Sequence, residues 1–580
     1  MAEYLAPAVY VEETSFRSKS IEGVGTSTTA FVGLTARGPV SAGVGAVIPP
    51  LLTSFADFET YYGGIDNLVI NGNSTPNYLA LAANAFFGNG GGRLYVARVL
   101  GAGAAAATTG VLNSPAGPAN KQVSFTARYP GGAQVAGPSV ANFTVALSQD
   151  SLASTKRLAS RLPTGTMVQI GTDYYVLGTS PMVTSAADAS AFNNLAADGA
   201  LSIISLSAII SDPSGPVAEY AGLGFDKTHP RYAGLVLGAT PPTSGDALTN
   251  PVVINIGAAA TAIDLRSTLF GVNTTATATL SAGSDGTGAP STTDYQDALN
   301  RLLALEDVSI VAAPGSSSFA APTPAAVNQL LIGHAETRRA YRIAVLDTPP
   351  SLEINDVRTL KGLIDSEYAA LYYPWVVVAN PLAATDPTQP TELALPPSGF
   401  VTGIYARSDV NRGVWKAPAN ETVTGALRLQ REVRFGEQEV LNPLGVNCIR
   451  TLPNRGIRVW GARTTSSDPE WIYVNIRRYF LYLEASIDQG TQWAVFEPNG
   501  ERLWANVTTT ISDFLYAEWL SGALLGTTPQ QAFFVRCDRS TMSQADLDNG
   551  RLICLVGVAA IKPAEFVIFR IGQKTADARD

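Results

Sequence analysis

The chain has 580 residues, a formal net charge of −9 at pH 7, and a composition that is 46 % hydrophobic but only 15 % charged. This length predicts three or four domains with ample core, and the sparse charge indicates that much of the surface meets other protein. The acidic balance without a basic run argues against nucleic-acid binding, and no run approaches the ~20 apolar residues of a membrane-spanning helix.

The N-terminal region has neither a basic segment nor an apolar segment typical of a signal peptide. We therefore expect synthesis and assembly in the cytoplasm, with any exit by lysis or inside a larger particle. Ala8 to Val11 have a short strand pattern, and a polar segment up to Val24 follows, in which Phe16 to Glu22 has the character of a flexible tether. Residues 1–25 are interpreted either as an arm or as a frayed terminus.

Residues 26–100 predict a strand at Thr29 to Leu34 and two helices, the first capped by Ser54. The second helix is closed by Gly88 and is followed by further glycines and a strand at Arg93 to Val99. A dinucleotide-binding loop requires the order strand, glycines, helix. The order here is helix, glycines, strand, so the glycines indicate a helix end and a tight turn.

Residues 101–290 are rich in Ala, Gly, Thr and Ser. Alternating runs at Gln122 to Phe125, Asn142 to Leu147 and Tyr174 to Leu177 predict antiparallel strands separated by turns. The region is interpreted as a β-rich insertion, one or two domains, on the outside of the main fold.

Residues 291–440 alternate helices with near-continuous apolar strands, which predicts a largely parallel sheet covered on both faces. The strands are expected at Val308 to Ala312, Arg342 to Leu346 and Trp375 to Ala379. Pro396 to Asn420, rich in glycine and proline, is expected to form turns.

Residues 441–580 predict a compact α+β domain. Two long helices carry apolar stripes. A strand at Ala532 to Val535 follows, then a capping box at Thr541 to Gln544, which predicts a short helix ended by Gly550. Leu552 to Ala560 and Phe566 to Ile571 are the expected final strands, and a terminal strand can pair with its own sheet or with that of a neighbour.

No catalytic or cofactor-binding constellation is present. His229 and His334 have no second metal ligand at a suitable spacing, so neither a metal site nor a cofactor site is predicted. The three cysteines lie in or beside apolar runs, which favours buried free thiols. The carboxylates of Asp468 and Glu470 form a pair that is common on surface loops. We therefore predict that the protein is not an enzyme.

Several long motifs resemble the tail sheath protein family of contractile phage tails, bacteriocins and injection systems. The motifs are Tyr4 to Glu13, Thr26 to Pro39, Phe86 to Val99, Leu395 to Asn420, Asn447 to Thr465, Trp471 to Trp493 and Gly550 to Gln573. Position 8 is Ala where this family usually has Gly. The resemblance implies an α/β and α+β multidomain fold, in which the N- and C-terminal parts form a sheath core around the outer insertion.

The resemblance also implies function. Sheath subunits stack as hexameric rings in a helical array around an inner tube protein, meet baseplate and terminator or cap proteins, and contract to drive the tube through a target envelope. Terminal arms are expected to complete a sheet shared between subunits. The arm residues would be Val9, Tyr10, Val11, Glu12, Phe566, Val567, Ile568, Phe569, Arg570 and Ile571.

A helix near the C-terminus is expected to face the tube, with Asp546, Asp548 and Asn549 as contacts, although an ordinary surface helix is the alternative. Neither nucleic acid nor direct membrane insertion is implied. The competing hypotheses are a soluble α/β enzyme and a monomeric adhesion or binding protein that uses residues 101–290 as its binding module.

Overall fold

A computed structural model describes residues 20–42, 47–70, 72–112, 119–131, 143–178, 190–212 and 215–568. The chain divides into two compact units. The larger holds residues 27–410 and 418–472, and the smaller holds residues 20–26, 411–417 and the described residues from 473 onwards. The predicted boundary at 440/441 is wrong, because residues 441–472 belong to the larger unit and supply two strands of its central sheet.

The first part of the larger unit alternates strands with two helices. Its elements are β1 (Thr29–Gly33), β2 (Leu51–Leu52), α1 (Phe55–Tyr62), β3 (Leu68–Ile70), β4 (Asn73–Thr75), α2 (Tyr78–Gly88) and β5 (Leu94–Arg98). The Ser54 hydroxyl accepts from the N–H of Asp57, whose carboxylate accepts from the N–H of Ser54, which confirms the predicted cap. The order helix, glycine turn, strand is also confirmed.

The region from residue 101 to residue 290 is rich in strands, as predicted. Its elements are β6 (Thr108–Val111), β7 (Val123–Ala127), β8 (Phe143–Thr155), α3 (Lys156–Ala159), β9 (Met167–Ile170), β10 (Asp173–Val176), α4 (Ser190–Asn194), β11 (Ala200–Asp212), β12 (Gly215–Leu223), α5 (Ala233–Val236), α6 (Ser244–Thr249), β13 (Val252–Ile256), α7 (Ala262–Phe270) and β14 (Thr275–Leu280). They form an antiparallel sheet in the order β10-β9-β11-β8-β14, with β12 on β11, and a second sheet in the order β13-β7-β6.

The segments through which the chain enters and leaves this region lie side by side. Ala105 pairs with Ser284, and Thr108 with Ser281, in isolated antiparallel bridges. A Cβ on Gly286 would lie 2.6 Å from the carbonyl carbon of Gly101, so glycine permits the close approach of the two chain segments. Adjacent entry and exit points are typical of an inserted domain.

The remainder of the larger unit contains helices alternating with strands. Its elements are α8 (Thr292–Leu302), β15 (Ile310–Ala312), α9 (Thr323–Ala335), β16 (Ile343–Asp347), α10 (Ile354–Lys361), β17 (Ala369–Tyr373), β18 (Val376–Ala379), β19 (Glu392–Leu395), α11 (Ser398–Arg412), β20 (Glu421–Thr422), β21 (Arg428–Leu429), α12 (Phe435–Leu441), β22 (Val446–Leu452) and β23 (Gly456–Val459).

A nine-stranded sheet in the order β2-β5-β1-β15-β16-β17-β22-β23-β20 forms the centre of the larger unit. The six strands from β5 to β22 are parallel to one another. Val32 packs on one face in a core shared with Leu299 of α8 and Val327 of α9. Phe31 points to the other face, where its ring lies 5.8 Å from that of Phe86 on α2. The sheet is therefore covered on both faces, as predicted.

One strand assignment is wrong. The central strand is β17, whereas β18, within the predicted strand Trp375 to Ala379, lies in a separate antiparallel sheet in the order β19-β18-β21. Pro374 separates the two strands, and a proline has no N–H to continue a sheet ladder. The indole N–H of Trp375 donates to the carbonyl of Thr348 at 2.7 Å.

The prediction of turns from Pro396 to Asn420 is also wrong over its first half, which forms α11. A Cβ on Gly399 would lie 2.7 Å from the Cα of Ala82, and one on Gly403 would lie 2.4 Å from the carbonyl oxygen of Phe86. These glycines therefore allow α11 to pack against the backbone of α2, although glycine usually disfavours a helix.

The smaller unit contains the predicted pair of long helices and two strands separated by a short helix. Its elements are α13 (Val474–Gly490), α14 (Glu501–Leu520), α15 (Pro529–Ala532), β24 (Phe533–Arg536), α16 (Gln544–Asp548) and β25 (Leu555–Val558). The stripes on α13 and α14 meet in one core, to which Leu483, Val507 and Leu515 contribute. None of the helices in the described ranges is both long and apolar enough to cross a membrane.

Candidate functional site

The histidines occupy unrelated positions. The Nε2 of the buried His334 lies 2.7 Å from the Nη1 of Arg342. Burial, together with the neighbouring guanidinium, lowers the pKa of His334 to about 3, so its ring is neutral and accepts this hydrogen bond. His229 accepts from the N–H of Arg231 in a turn. Among the residues that the structure describes, no group of three His, Cys, Asp or Glu side chains could hold a metal ion.

Other titratable groups have structural partners. Burial raises the pKa of the Cys448 thiol to about 12, so it stays protonated. Asp347 accepts hydrogen bonds from the N–H and hydroxyl of Ser398 at the start of α11, and burial raises its pKa to about 7. The Asp468 carboxylate accepts from the N–H of Glu470 at 2.9 Å, which is a local turn. These contacts fix the local conformation of the backbone.

The antiparallel sheet of β24 and β25 lies near the end of the chain. In its register Phe533 stands opposite Val558. Phe533, Val535 and Val558 pack against the core of the smaller unit. The opposite face is open, since Phe534 is 56 % exposed and Leu555 is 49 % exposed. The sheet therefore has one packed face and one accessible face, on which Phe534 and Leu555 lie beside exposed Arg536.

Each of these strands has one strand neighbour within the described residues, so each has one outer edge. The outer edge is occupied just beyond β25, where Leu524 forms an antiparallel bridge with Ala560 and the N–H of Leu525 donates to the carbonyl of Ala559. The N–H of Ala559 donates to the carbonyl of Ala532, which lies opposite it. Hydrogen-bonded and non-hydrogen-bonded pairs alternate along an antiparallel ladder. Val535 and Val556 are therefore a non-hydrogen-bonded pair, so the backbone N–H and C=O groups of both residues point towards the outer edges of the sheet. Such edges can accept additional strands.

The segment after β25 is anchored as far as Glu565, whose carboxylate accepts from the hydroxyl of Tyr473 at 3.1 Å. Beyond this anchor, Phe566, Val567 and Ile568 are 72 %, 67 % and 79 % exposed and lie in no strand. The predicted final strand is thus not formed within this chain over residues 566–568. The rest of it, Phe569 to Ile571, lies outside the described residues.

The root of the N-terminal segment, which we define as Ile21 to Val24, packs against α13. Ile21 is 8 % exposed and belongs to the core of the smaller unit. The N–H of Val24 donates to the hydroxyl of Ser486 at 3.1 Å. The predicted tether, Phe16 to Glu22, is therefore wrong at its C-terminal end, where the burial of an apolar side chain attaches the backbone. The predicted arm strand, Val9 to Glu12, lies outside the described residues.

The short helix α16 begins two residues later than predicted. Its N-cap is Ser543, and Asp546 completes the capping box, because a serine three residues before an aspartate gives the same reciprocal pairing as the expected Thr541. Hydrogen bonds from Ser543 hold the pKa of Asp546 below its usual range. Asp548 and Asn549 are exposed. Their role as tube contacts stays a prediction.

Sequence reasoning missed a polar cluster between α13 and α14. The Glu518 carboxylate accepts from the hydroxyls of Tyr479 at 3.2 Å and Tyr482 at 2.9 Å. Burial raises the pKa of Glu518. A Cβ on Gly23 would lie 2.1 Å from the Tyr482 hydroxyl oxygen, so this cluster also contacts the root of the N-terminal segment. Its members are far apart in the sequence, and the helical stripes give no signal for it.

Two family models match consecutive parts of the chain. Residues 288–465 match the phage tail sheath protein central domain, and residues 466–574 match the phage tail sheath C-terminal domain. The chain belongs to the tail sheath protein family. A prophage major tail sheath protein of Pseudomonas aeruginosa (strain UCBPP-PA14) is 28 % identical over 299 residues, which are 50 % of this chain and 70 % of that protein.

Two solved sheaths share the fold of this tail sheath protein. The sheath of the PVC extracellular contractile injection system, in its contracted state, is 21 % identical with a TM-score of 0.52, and the match covers 99 % of each chain. The contracted helical sheath of the anti-feeding prophage is 20 % identical with a TM-score of 0.54, over 98 % of this chain and 100 % of the other. These matches confirm the predicted fold class.

Proposed function

We propose that this tail sheath protein polymerises by strand addition at the β24–β25 sheet. The observation that carries the proposal is the pair of outer edges, one on each strand, beside an exposed apolar segment that begins at Phe566. No further strand pairs with these edges within the described residues. A strand from a neighbouring subunit would pair with them and cover the accessible face around Phe534.

The donors would be the two terminal arms. Val9, Tyr10, Val11 and Glu12 would form one added strand, and Phe566 to Ile571 the other. The roots of both arms are attached to the smaller unit, through Ile21 and Glu565. Each root would hold its arm to its own subunit while the distal residues pair elsewhere. Each added hydrogen bond contributes only ~1 kcal/mol, but repetition over many joints stabilises a polymer.

The assembly is proposed to be a helical stack of hexameric rings around an inner tube protein, in contact with baseplate and terminator or cap proteins. Contraction would exchange one set of subunit contacts for another, which is a bistable interface that requires no nucleotide. The role is structural and not enzymatic. Assembly would occur in the cytoplasm, and the product would be a phage tail or an injection particle. The two contracted solved sheaths support this proposal through the shared fold.

The inner-tube contact is proposed at α16, through Asp548 and Asn549. Asp546 is a weaker candidate than the sequence indicates, because its carboxylate is engaged in the cap with Ser543. Asp548→Asn removes one exposed charge while preserving size, so it should weaken binding of the inner tube protein without altering the fold. Unchanged binding by Asp548→Asn together with Asn549→Ala would remove α16 from the contact.

Deletion of the N-terminal arm tests the polymerisation proposal. A chain that lacks residues 2–13 should fold but form no tubes, because the buried root at Ile21 is retained. A matched control removes residues 574–580, which follow the C-terminal arm, and should assemble normally. Negative-stain electron microscopy of both chains, with and without the inner tube protein, gives the readout. Tubes of normal length from the chain without residues 2–13 would contradict the proposal.

A further inference from the structure

Cys537 and Cys554 flank the β24–β25 sheet, each one residue beyond the end of its strand. Cys537 directly follows Arg536, Cys554 directly precedes Leu555, and Arg536 stands opposite Leu555. The ladder itself ends at this pair, and continuing its register by one residue would place the two cysteines opposite each other. The alternation set by the Ala532–Ala559 pair makes them a non-hydrogen-bonded pair, in which Cα atoms are about 4.5 Å apart. Disulfides span Cα separations of about 4.4–6.8 Å.

The two thiols interact with each other: the Cys554 thiol acts to lower the pKa of Cys537, and the Cys537 thiol acts to raise the pKa of Cys554. Both side chains pack against the same core. Cys537 is 7 % exposed, whereas Cys554 is only partly buried, so Cys554 is the more accessible thiol. Both are free thiols. A bond between them requires no change of register.

We propose that Cys537 and Cys554 form a redox-responsive pair that closes an intrachain disulfide when the protein meets a disulfide oxidant such as oxidised glutathione. The Cys554 thiolate attacks the oxidant, forms a mixed disulfide and releases one glutathione thiolate. The Cys537 thiolate then attacks the Cys554 sulfur, and the second glutathione leaves. The cysteines lose two protons and two electrons, and the oxidant becomes two glutathione thiols.

The bond would have a local consequence. It would close the loop of residues 538–553, which carries α16, and join the ends of the two strands whose outer edges are described above. Burial raises the pKa of Cys537 and raises that of Cys554 to about 12, so little thiolate is present near neutral pH. The pair should therefore remain reduced in a reducing compartment and oxidise slowly in an oxidising one.

The test uses the full-length protein and oxidised glutathione. After prolonged incubation the protein is denatured, alkylated without reduction, digested and mapped by mass spectrometry. We expect one cross-linked peptide pair joining Cys537 to Cys554, loss of both alkyl labels, and a monomer on a non-reducing gel. Cys448 is the internal control, because it is fully buried, should stay reduced during the incubation, and should therefore be fully alkylated after denaturation.

The variant Cys537→Ala separates the two chemical steps. It should stop at a mixed disulfide of Cys554 with glutathione, since no second thiol is opposite. Wild-type protein that keeps both thiols labelled at equilibrium overturns the proposal, and so does a Cys554 bond to a second chain. If the variant does not fold, the peptide map of the wild-type protein decides alone.

Discussion

The substitution Val556→Pro tests the proposal that a strand of another subunit pairs with the outer edge of β25. The N–H of Val556 points to this edge, because Val556 and Val535 form a non-hydrogen-bonded pair. Proline removes that N–H and leaves the ladder to β24 intact, which is the position at which an edge strand tolerates it. Val556 is 37 % exposed, so its side chain contributes little core. The isolated subunit should remain folded.

The magnitude follows from one lost hydrogen bond at each joint. Such a bond contributes ~1 kcal/mol net, which corresponds to a change of about fivefold in the association constant of that joint. The critical concentration for tube formation should therefore rise at least about fivefold, and further if the proline ring obstructs the incoming strand. Sedimentation of tubes over a concentration series measures this value, and a thermal melt of the subunit checks its fold.

Val556→Thr is the matched control, because it keeps the N–H and the β-branched shape and should assemble like the wild type. Val535→Pro removes the outward N–H of β24 and shows which edge receives a strand; because Val535 also packs against the core, the thermal melt of this variant must first show that it is folded. If both proline variants fold and assemble at the wild-type critical concentration, the strand-addition argument is refuted.

Three further predictions concern the fold and the arm root. Gly403→Ala should lower the melting temperature, because overpacking against the Phe86 carbonyl costs about 1–3 kcal/mol, which exceeds the ~0.5–1 kcal/mol that alanine contributes in a helix. The control Gly333→Ala, on α9, adds its Cβ in open space and should raise the melting temperature. Ile21→Ala should cost about 2–5 kcal/mol of local attachment and speed protease cleavage near the arm root, measured against exposed Glu22→Ala. The pKa of His334 is about 3 in the folded protein and 6.5 ordinarily, so the folded state binds fewer protons than the unfolded state between these pH values. The free energy of unfolding should therefore fall by ~1.4 kcal/mol per pH unit as the pH drops from 6.5 towards 3. Denaturation curves of His334→Gln should show a weaker dependence on pH.

Local patterns in the sequence were sufficient to predict many of the helices and strands. The apolar stripes predicted α13 and α14, the capping residue Ser54 predicted α1, and the strand signals of residues 101–290 predicted antiparallel strands. The motifs at both ends of the chain indicated the family. These signals are reliable because periodicity and capping depend on residues within a few positions of one another.

The tertiary structure decided what depends on distant neighbours. The helix α11 forms across glycines because the backbone of α2 lies against it, and Ile21 is fixed because the core of the smaller unit covers it. Cys537 and Cys554, which are 17 positions apart, come to the same core because β24 and β25 pair beside them. Composition and spacing determined which segments could be helix or strand, whereas pairing and packing, which join residues far apart in the chain, decided which backbone edges and thiols are available.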